Sequence, residues 1–97
     1  MSFQIRFHDT PHSDGLKQEC EDLATELREE FQDTSKIQLS LNRSGEDYEA
    51  HVHVTGKGID IAATSQNRAM RDAAVEALDR ARKQLRKHQD KLIGRHR

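Results

Sequence analysis

Apolar and polar residues alternate in four short segments of the chain, and this period of two predicts four β-strands that each have one apolar face. Turn-forming residues, Ser44-Gly45 and Gly56-Lys57-Gly58, separate the last three segments, so we expect these strands to form an antiparallel meander. The apolar positions are Phe3, Ile5 and Phe7 in the first segment, Ile37, Leu39 and Leu41 in the second, Tyr48, Ala50, Val52 and Val54 in the third, and Ile59, Ile61 and Ala63 in the fourth, which is short.

Two further segments repeat apolar residues at spacings of three and four, which is the period of an α-helix. We expect the first helix over about residues 14–32, with Ser13 as its N-cap. The second is expected over about residues 66–93, with Ser65 as its N-cap and Gly94 just past its end. The first apolar stripe comprises Leu16, Cys20, Leu23, Ala24, Leu27 and Phe31, and the second comprises Met70, Ala74, Ala77, Leu78, Ala81, Leu85, His88 and Leu92.

The order of these elements is β-α-β-β-β-α, and 97 residues are enough for a single domain, residues 1–97. The first helix is long enough for a right-handed crossover, which would leave strands 1 and 2 parallel. Each strand has one apolar face, so the simplest packing places both helices on that face and water on the other. The predicted fold is an α+β two-layer sandwich with a four-stranded mixed sheet.

Charge is distributed unevenly along the chain although the net charge is only −1. Residues 1–50 carry 5 Lys or Arg and 12 Asp or Glu, a balance of −7, whereas residues 51–97 carry 11 and 5, a balance of +6. This asymmetry indicates a partner surface on one side of the molecule. The acidic residues on the outer face of the first helix are Glu19, Glu21, Asp22, Glu26, Glu29 and Glu30.

The second helix carries the basic residues that are the best candidates for function. Residues 80–91 hold six Lys or Arg and a single acid, so most of these charges lack a partner within the helix. One interpretation is a solvated helix with pairs four residues apart, such as Glu76–Arg80 and Asp79–Lys83. The other is a track for the phosphates of a nucleic acid. The candidate RNA-binding residues are Arg80, Arg82, Lys83, Arg86, Lys87 and Lys91.

No other group of residues predicts chemistry. His51 and His53 share one strand face, but two histidines without a cysteine or a pair of carboxylates nearby are a weak metal signal. Cys20 lies in the core stripe of the first helix, and no serine has the glycine-flanked setting of a hydrolase nucleophile. We therefore expect no catalytic residues, no metal, no cofactor and no small-molecule substrate, so the protein is not expected to be an enzyme.

The sequence also indicates the cellular compartment in which the protein is expected. It has no run of about 18 apolar residues, and its first residues lack the apolar core of a signal peptide. A single cysteine excludes a disulfide framework. We expect a cytoplasmic protein without membrane contact.

The end of the second helix, Lys-Gln-Leu-Arg-Lys-His-Gln-Asp-Lys-Leu at residues 83–92, resembles the ribosome hibernation promoting factors, also called ribosome-associated inhibitor A or sigma modulation proteins. The resemblance implies a fold like that of double-stranded-RNA-binding domains. It also implies binding in the small-subunit channel that messenger and transfer RNA occupy, which blocks translation initiation in non-growing, stressed or stationary-phase cells. The six basic candidates would then contact ribosomal RNA phosphates.

The chain departs from the family pattern in two places. Family members usually carry lysines on the first helix, which is acidic here, and Arg71 replaces a tyrosine common near the start of the second helix. The acidic face could instead meet ribosomal proteins, which are mostly basic. The chain ends at Arg97, so we expect the short form of the family, without the dimerisation domain of the long form. The alternative function is a small adaptor module that binds a protein partner through its charged helices.

Overall fold

The structure is a computed structural model that describes the backbone of residues 2–94 and the side chains of residues 3–89. It confirms the predicted order of two helices and four strands. The elements are β1 (Ser2–His8), α1 (Asp14–Glu30), β2 (Thr34–Ser44), β3 (Asp47–Gly56), β4 (Ile59–Asn67) and α2 (Met70–Gly94).

The four strands form one mixed sheet in the order β1-β2-β3-β4. β1 pairs with β2 in parallel, and the other two pairs are antiparallel, as the crossover and the meander predict. Because α1 and α2 each follow a strand of the same orientation, the two helices run in the same direction across the sheet. This parallel arrangement fixes which residues of α1 lie opposite which residues of α2.

The core lies between the apolar face of the sheet and the two helices. α2 covers β3 and β4 with a row of alanines, of which Ala73, Ala74, Ala77 and Ala81 are fully buried. Small side chains let the helix approach the sheet closely. The opposite face of the sheet carries polar side chains, and no helix within residues 2–94 covers it, which confirms the predicted two-layer packing.

The start of α1 agrees with the sequence, whereas the start of α2 does not. Ser13 is the N-cap of α1, and its Oγ accepts a hydrogen bond from the Leu16 N–H at 3.2 Å. Ser65, predicted to cap α2, lies instead in β4, which is nine residues long. Its side chain is buried and donates from Oγ to Glu76 Oε2 at 2.7 Å. β4 therefore continues to Asn67, and the helix starts at Met70 and not near residue 66.

No helix within residues 2–94 is long and apolar enough to cross a membrane.

Candidate nucleic-acid interface

The exposed surface of α2 presents its basic residues on two sides of the buried alanine row. At about 100° per residue, Arg71, Arg82 and Arg86 lie on the side that faces α1. Arg80 and Lys87 lie on the side that faces the edge strand β4, and Lys83 lies farthest from the sheet. These positions follow from the helical period, since the alanine row fixes the face that meets the sheet.

On the α1 side, two arginines share one carboxylate. Arg82 Nε donates to Glu30 Oε2 at 3.0 Å, and Arg86 Nη2 donates to Glu30 Oε1 at 3.1 Å. The Arg86 hydrogen bond, together with the pairing to Arg82, lowers the pKa of Glu30 below its ordinary value. We call this contact the Glu30 bracket. Part of the charge of these two candidate residues is therefore offset by the acidic helix.

A second contact joins the helices nearer their N-termini. Arg71 Nε lies 2.7 Å from both carboxylate oxygens of Glu19, and this hydrogen bond raises the pKa of Arg71. We call it the Glu19 bracket. Glu19 and Glu30 are eleven residues apart, as are Arg71 and Arg82, so the parallel helices are joined in register over about 16 Å of axis at ~1.5 Å per residue. Arg71 thus has its partner on the acidic helix α1.

On the other side, α2 covers the free edge of the sheet. Arg80 Nη1 donates to the Thr64 carbonyl oxygen at 2.6 Å, and Gln84 Nε2 donates to the Ala62 carbonyl oxygen at 3.0 Å. Both carbonyls belong to the edge strand β4, whose backbone groups would otherwise be open to pairing with another chain. Arg80 is exposed, and its partner is a neutral carbonyl and not a carboxylate.

The two ion pairs expected along the second helix have different outcomes. Lys83 Nζ lies 3.2 Å from Asp79 Oδ2, which confirms one of them. The predicted Glu76–Arg80 pair is wrong. Glu76 instead accepts hydrogen bonds from the side chains of Ser65 and Asn67, at 2.7 and 3.0 Å. Both donors lie in the last part of β4, which is longer than the sequence pattern predicts.

Lys87 is exposed and makes no ion pair among residues 3–89. The side chain of Lys91, the sixth candidate, lies outside the described residues. The described candidates therefore differ: Arg80, Lys83 and Lys87 point away from α1, whereas Arg82 and Arg86 are shared with it. The first three span about 10 Å of helix axis, at ~1.5 Å per residue.

The two histidines on the polar sheet face each contact a carboxylate. His51 Nε2 lies 2.6 Å from Glu49 Oε1, and His53 Nε2 lies 2.7 Å from Asp60 Oδ1. Among the residues that the structure describes, no group of three or more His, Cys, Asp or Glu is placed to hold a metal ion. The sequence pattern does not predict the contact between His53 and Asp60, because it joins two neighbouring strands, β3 and β4.

Cys20 lies on the buried face of α1, and burial raises the pKa of its thiol to about 11. The neutral thiol is therefore the form present at neutral pH, which disfavours a role as a nucleophile.

Comparison with known proteins gives matches in family and in fold. Residues 3–93 match the model of the family described as sigma 54 modulation protein / S30EA ribosomal protein. A ribosomal subunit interface protein from Coxiella burnetii is similar in structure, with a TM-score of 0.84 and 17% identity over 93% of this chain and 99% of that chain. The N-terminal domain of Protein Y from Thermus thermophilus is also similar, with a TM-score of 0.77 and 17% identity over 88% and 94%. No curated protein sequence gives a significant match. At this identity the structural matches establish the fold.

Proposed function

Because the chain belongs to the family of sigma 54 modulation proteins and S30EA ribosomal proteins, we propose that it is a ribosome hibernation factor of the small ribosomal subunit. In this proposal the single domain occupies the decoding channel in non-growing cells. It inhibits initiation by excluding messenger and transfer RNA and catalyses no reaction. The observation that carries the proposal is the exposed basic surface of α2 on a domain of this family.

The proposed RNA contacts are the six basic candidates, Arg80, Arg82, Lys83, Arg86, Lys87 and Lys91. Lys87 and Lys83 reach farthest from the acidic helix, so they are expected to meet ribosomal RNA phosphates first. Arg82 and Arg86 can contribute only by sharing their donors between Glu30 and a phosphate. Arginine has five N–H donors, which makes such sharing feasible.

The structure of α1 supports a division of contacts within this proposal. Its acidic residues repel phosphate, so α1 is expected to face ribosomal proteins and α2 to face RNA. The resulting orientation uses both charged halves of the molecule. It also explains how a family member can bind a ribosome although its first helix carries one lysine and seven acidic residues.

The test is co-sedimentation with purified small ribosomal subunits. The Lys83→Glu/Lys87→Glu variant reverses two exposed charges on the outer side of α2, and we expect it to lose ribosome binding by tenfold or more, an order-of-magnitude expectation for lost phosphate contacts. Both side chains are exposed, so circular dichroism is expected to show an unchanged fold.

The matched control is Lys17→Glu/Lys57→Glu, which makes the same charge change on exposed residues of α1 and of the β3–β4 turn. It is expected to bind nearly as the unaltered protein does. If the α2 variant is folded and still co-sediments normally, α2 is not the RNA-binding surface, and the adaptor function becomes the better explanation.

A further inference from the structure

The two edges of the sheet differ in what covers them. At the β4 edge, Arg80 and Gln84 of α2 bind two backbone carbonyls, and the apolar side chains of the strand are buried. At the β1 edge, no residue within 2–94 pairs with the outer side of the strand. An open edge strand whose apolar face is partly exposed is a template for a further strand. The half-buried apolar side chains of β1 are Phe3, Ile5 and Phe7.

The surface of α1 beside this edge carries one charge of each sign. Lys17 and Glu21 are exposed, and together with side chains of β1 they line one depression along the edge. Neither makes an ion pair among residues 3–89. Glu19 and Glu30, by contrast, are bound on the α2 side of the helix by the two brackets. The β1 side of α1 therefore offers a lysine and a glutamate that can both pair with another chain.

We propose that β1 forms a homodimer interface, in which it pairs antiparallel with β1 of a second copy of this chain. The twofold axis is perpendicular to the sheet, so both copies keep their helices on the same face. β1 spans Ser2–His8, and pairing along its whole length therefore centres on its middle residue, Ile5. The two sheets join into one sheet of eight strands, and the open edge of each copy is closed by the other.

The residues that face each other in this register are compatible. On the apolar face, Phe3 lies opposite Phe7 of the second copy, and such aromatic pairs stabilise neighbouring strands. On the polar face, Arg6 lies opposite the neutral amide of Gln4 and can donate to its oxygen. Pairing centred one residue farther along would place Arg6 directly opposite itself, which like charges disfavour.

The helices also fit the dimer. α1 packs against both β1 and β2, so it lies over the gap between these two strands. A second β1 at the usual strand spacing of about 4.8 Å places the second α1 at about twice that distance from the first, or roughly 10 Å. Packed helices lie ~8–10 Å apart, so the two copies of α1 meet at a normal packing distance above the new strand pair.

The twofold axis makes the charges beside the edge complementary. The depression places Lys17 and Glu21 level with residues 3–6 of β1, around the axis at Ile5. α1 is antiparallel to its symmetry mate, so Lys17 of each copy lies opposite Glu21 of the other and two equivalent ion pairs form. The net charge of the chain is only −1, so long-range repulsion between two copies is weak.

This inference goes beyond the proposed function and does not rest on it. β1 and β4 are the opposite edges of the sheet, and the outer side of α2 faces β4. The dimer therefore leaves the proposed RNA contacts uncovered, and either proposal can fail without the other.

The first test is analytical ultracentrifugation of the untagged chain from about 10 μM to about 1 mM, a range that covers dimers of moderate and low affinity. The average mass is expected to rise from that of one chain towards that of two. A monomer at every concentration would overturn the proposal. So would growth beyond two copies, because a twofold contact closes at the dimer.

A charge exchange tests the ion pairs across the axis. Glu21→Lys is expected to weaken the dimer about fivefold or more, because it replaces two exposed ion pairs by repulsion. Lys17→Glu/Glu21→Lys restores both pairs with the charges exchanged and is expected to restore the dimer. Glu26→Lys is the matched control, since Glu26 is an exposed residue on the α2 side of the same helix. Equal weakening by Glu21→Lys and Glu26→Lys, or no rescue by the exchange, would contradict the proposed interface.

Two substitutions of one exposed residue test the strand register. Gln4→Glu places a carboxylate opposite Arg6 of the second copy and is expected to tighten the dimer about threefold, whereas Gln4→Lys is expected to weaken it by a similar factor. Gln66→Glu and Gln66→Lys on the polar face of β4 are the controls and are expected to change the dimer little. Circular dichroism checks that all four variants are folded. If the two Gln4 variants change the dimer constant in the same direction, or leave it unchanged, β1 does not pair in this register and the proposal is wrong.

Discussion

Gly56 illustrates how a single residue can be fixed by backbone packing. It ends β3 beside the loop that follows α1, and a Cβ at this position would lie 2.1 Å from the Asp33 carbonyl oxygen. The same carbonyl accepts a hydrogen bond from the Lys57 N–H at 3.0 Å, so it cannot move away without losing that bond. Only glycine fits between these two backbone segments.

We therefore predict that Gly56→Ala destabilises the protein by about 2 kcal/mol or more, the range for overpacking against a backbone that cannot yield. Gly15→Ala is the control, since nothing lies within 4 Å of a Cβ there and alanine favours a helix by about 0.5–1 kcal/mol. Urea unfolding of both variants measures the effects. Equal stability of Gly56→Ala and the unaltered protein would contradict the close approach.

The two serines predicted to be helix N-caps, Ser13 and Ser65, differ in how far the sequence alone could place them. Serine suits both a helix N-cap and a small buried position on a strand, and local pattern does not separate the two. Ser65 takes the strand position because its buried hydroxyl donates a hydrogen bond to the carboxylate of Glu76, eleven residues farther on. Such a partner is known only once β4 and α2 have packed together. The N-cap of α1 was predictable, because Ser13 bonds within its own first turn.

The Glu19 and Glu30 brackets join α1 and α2 side by side at two points along their length. The sequence predicts an acidic first helix and a basic second helix, and their periods predict which face of each helix is buried. It does not predict that Glu30 meets Arg82, 52 residues farther along the chain, or Arg86, since these contacts need the parallel direction and relative shift of the two helices. The candidate residues were therefore identified by type, while their division between free and shared charges came from the structure.

The Glu30 bracket predicts a dependence of stability on pH. The arginines lower the pKa of Glu30 in the folded protein, so its carboxylate stabilises the fold above the ordinary glutamate value of 4.5. That contribution is lost as the pH falls through the lowered pKa. The difference in unfolding free energy between the unaltered protein and Glu30→Gln is thus expected to be present at pH 7 and to vanish in acid.

Chemical denaturation at several pH values measures this difference. Glu29→Gln is the control, because Glu29 neighbours Glu30 on the same helix and makes no ion pair among residues 3–89. Its difference from the unaltered protein is expected to stay nearly constant with pH. A Glu30→Gln difference that persists unchanged in acid would show that the bracket does not contribute through its charge.

Across the whole molecule, the charge asymmetry of the sequence becomes a physical separation of surfaces. The acidic first half of the chain supplies α1, the basic second half supplies α2, and the brackets neutralise part of both where they meet. Among the side chains that the structure describes, what remains on α2 is a short basic surface, with Arg80, Lys87 and the Asp79-paired Lys83 over about 10 Å at ~1.5 Å per residue. Such a surface covers few phosphates, so tight binding to a ribosome needs shape fit and protein contacts as well.

Ribosome binding is expected to weaken moderately with salt, and the slope is expected to reflect the number of phosphates that the protein contacts. Each phosphate neutralised by a lysine releases condensed counterions, so the logarithm of the binding constant falls linearly with the logarithm of the salt concentration. Removing one phosphate contact is expected to make that slope shallower by about one unit. Lys87→Gln is therefore expected to reduce both the affinity at low salt and the slope, whereas Lys57→Gln on the β3–β4 turn is expected to change neither.

Sedimentation with small subunits at four or five salt concentrations gives both quantities. A Lys87→Gln variant with lower affinity and an unchanged slope would show that Lys87 supports binding without touching a phosphate, and the phosphate contacts would then have to come from other residues.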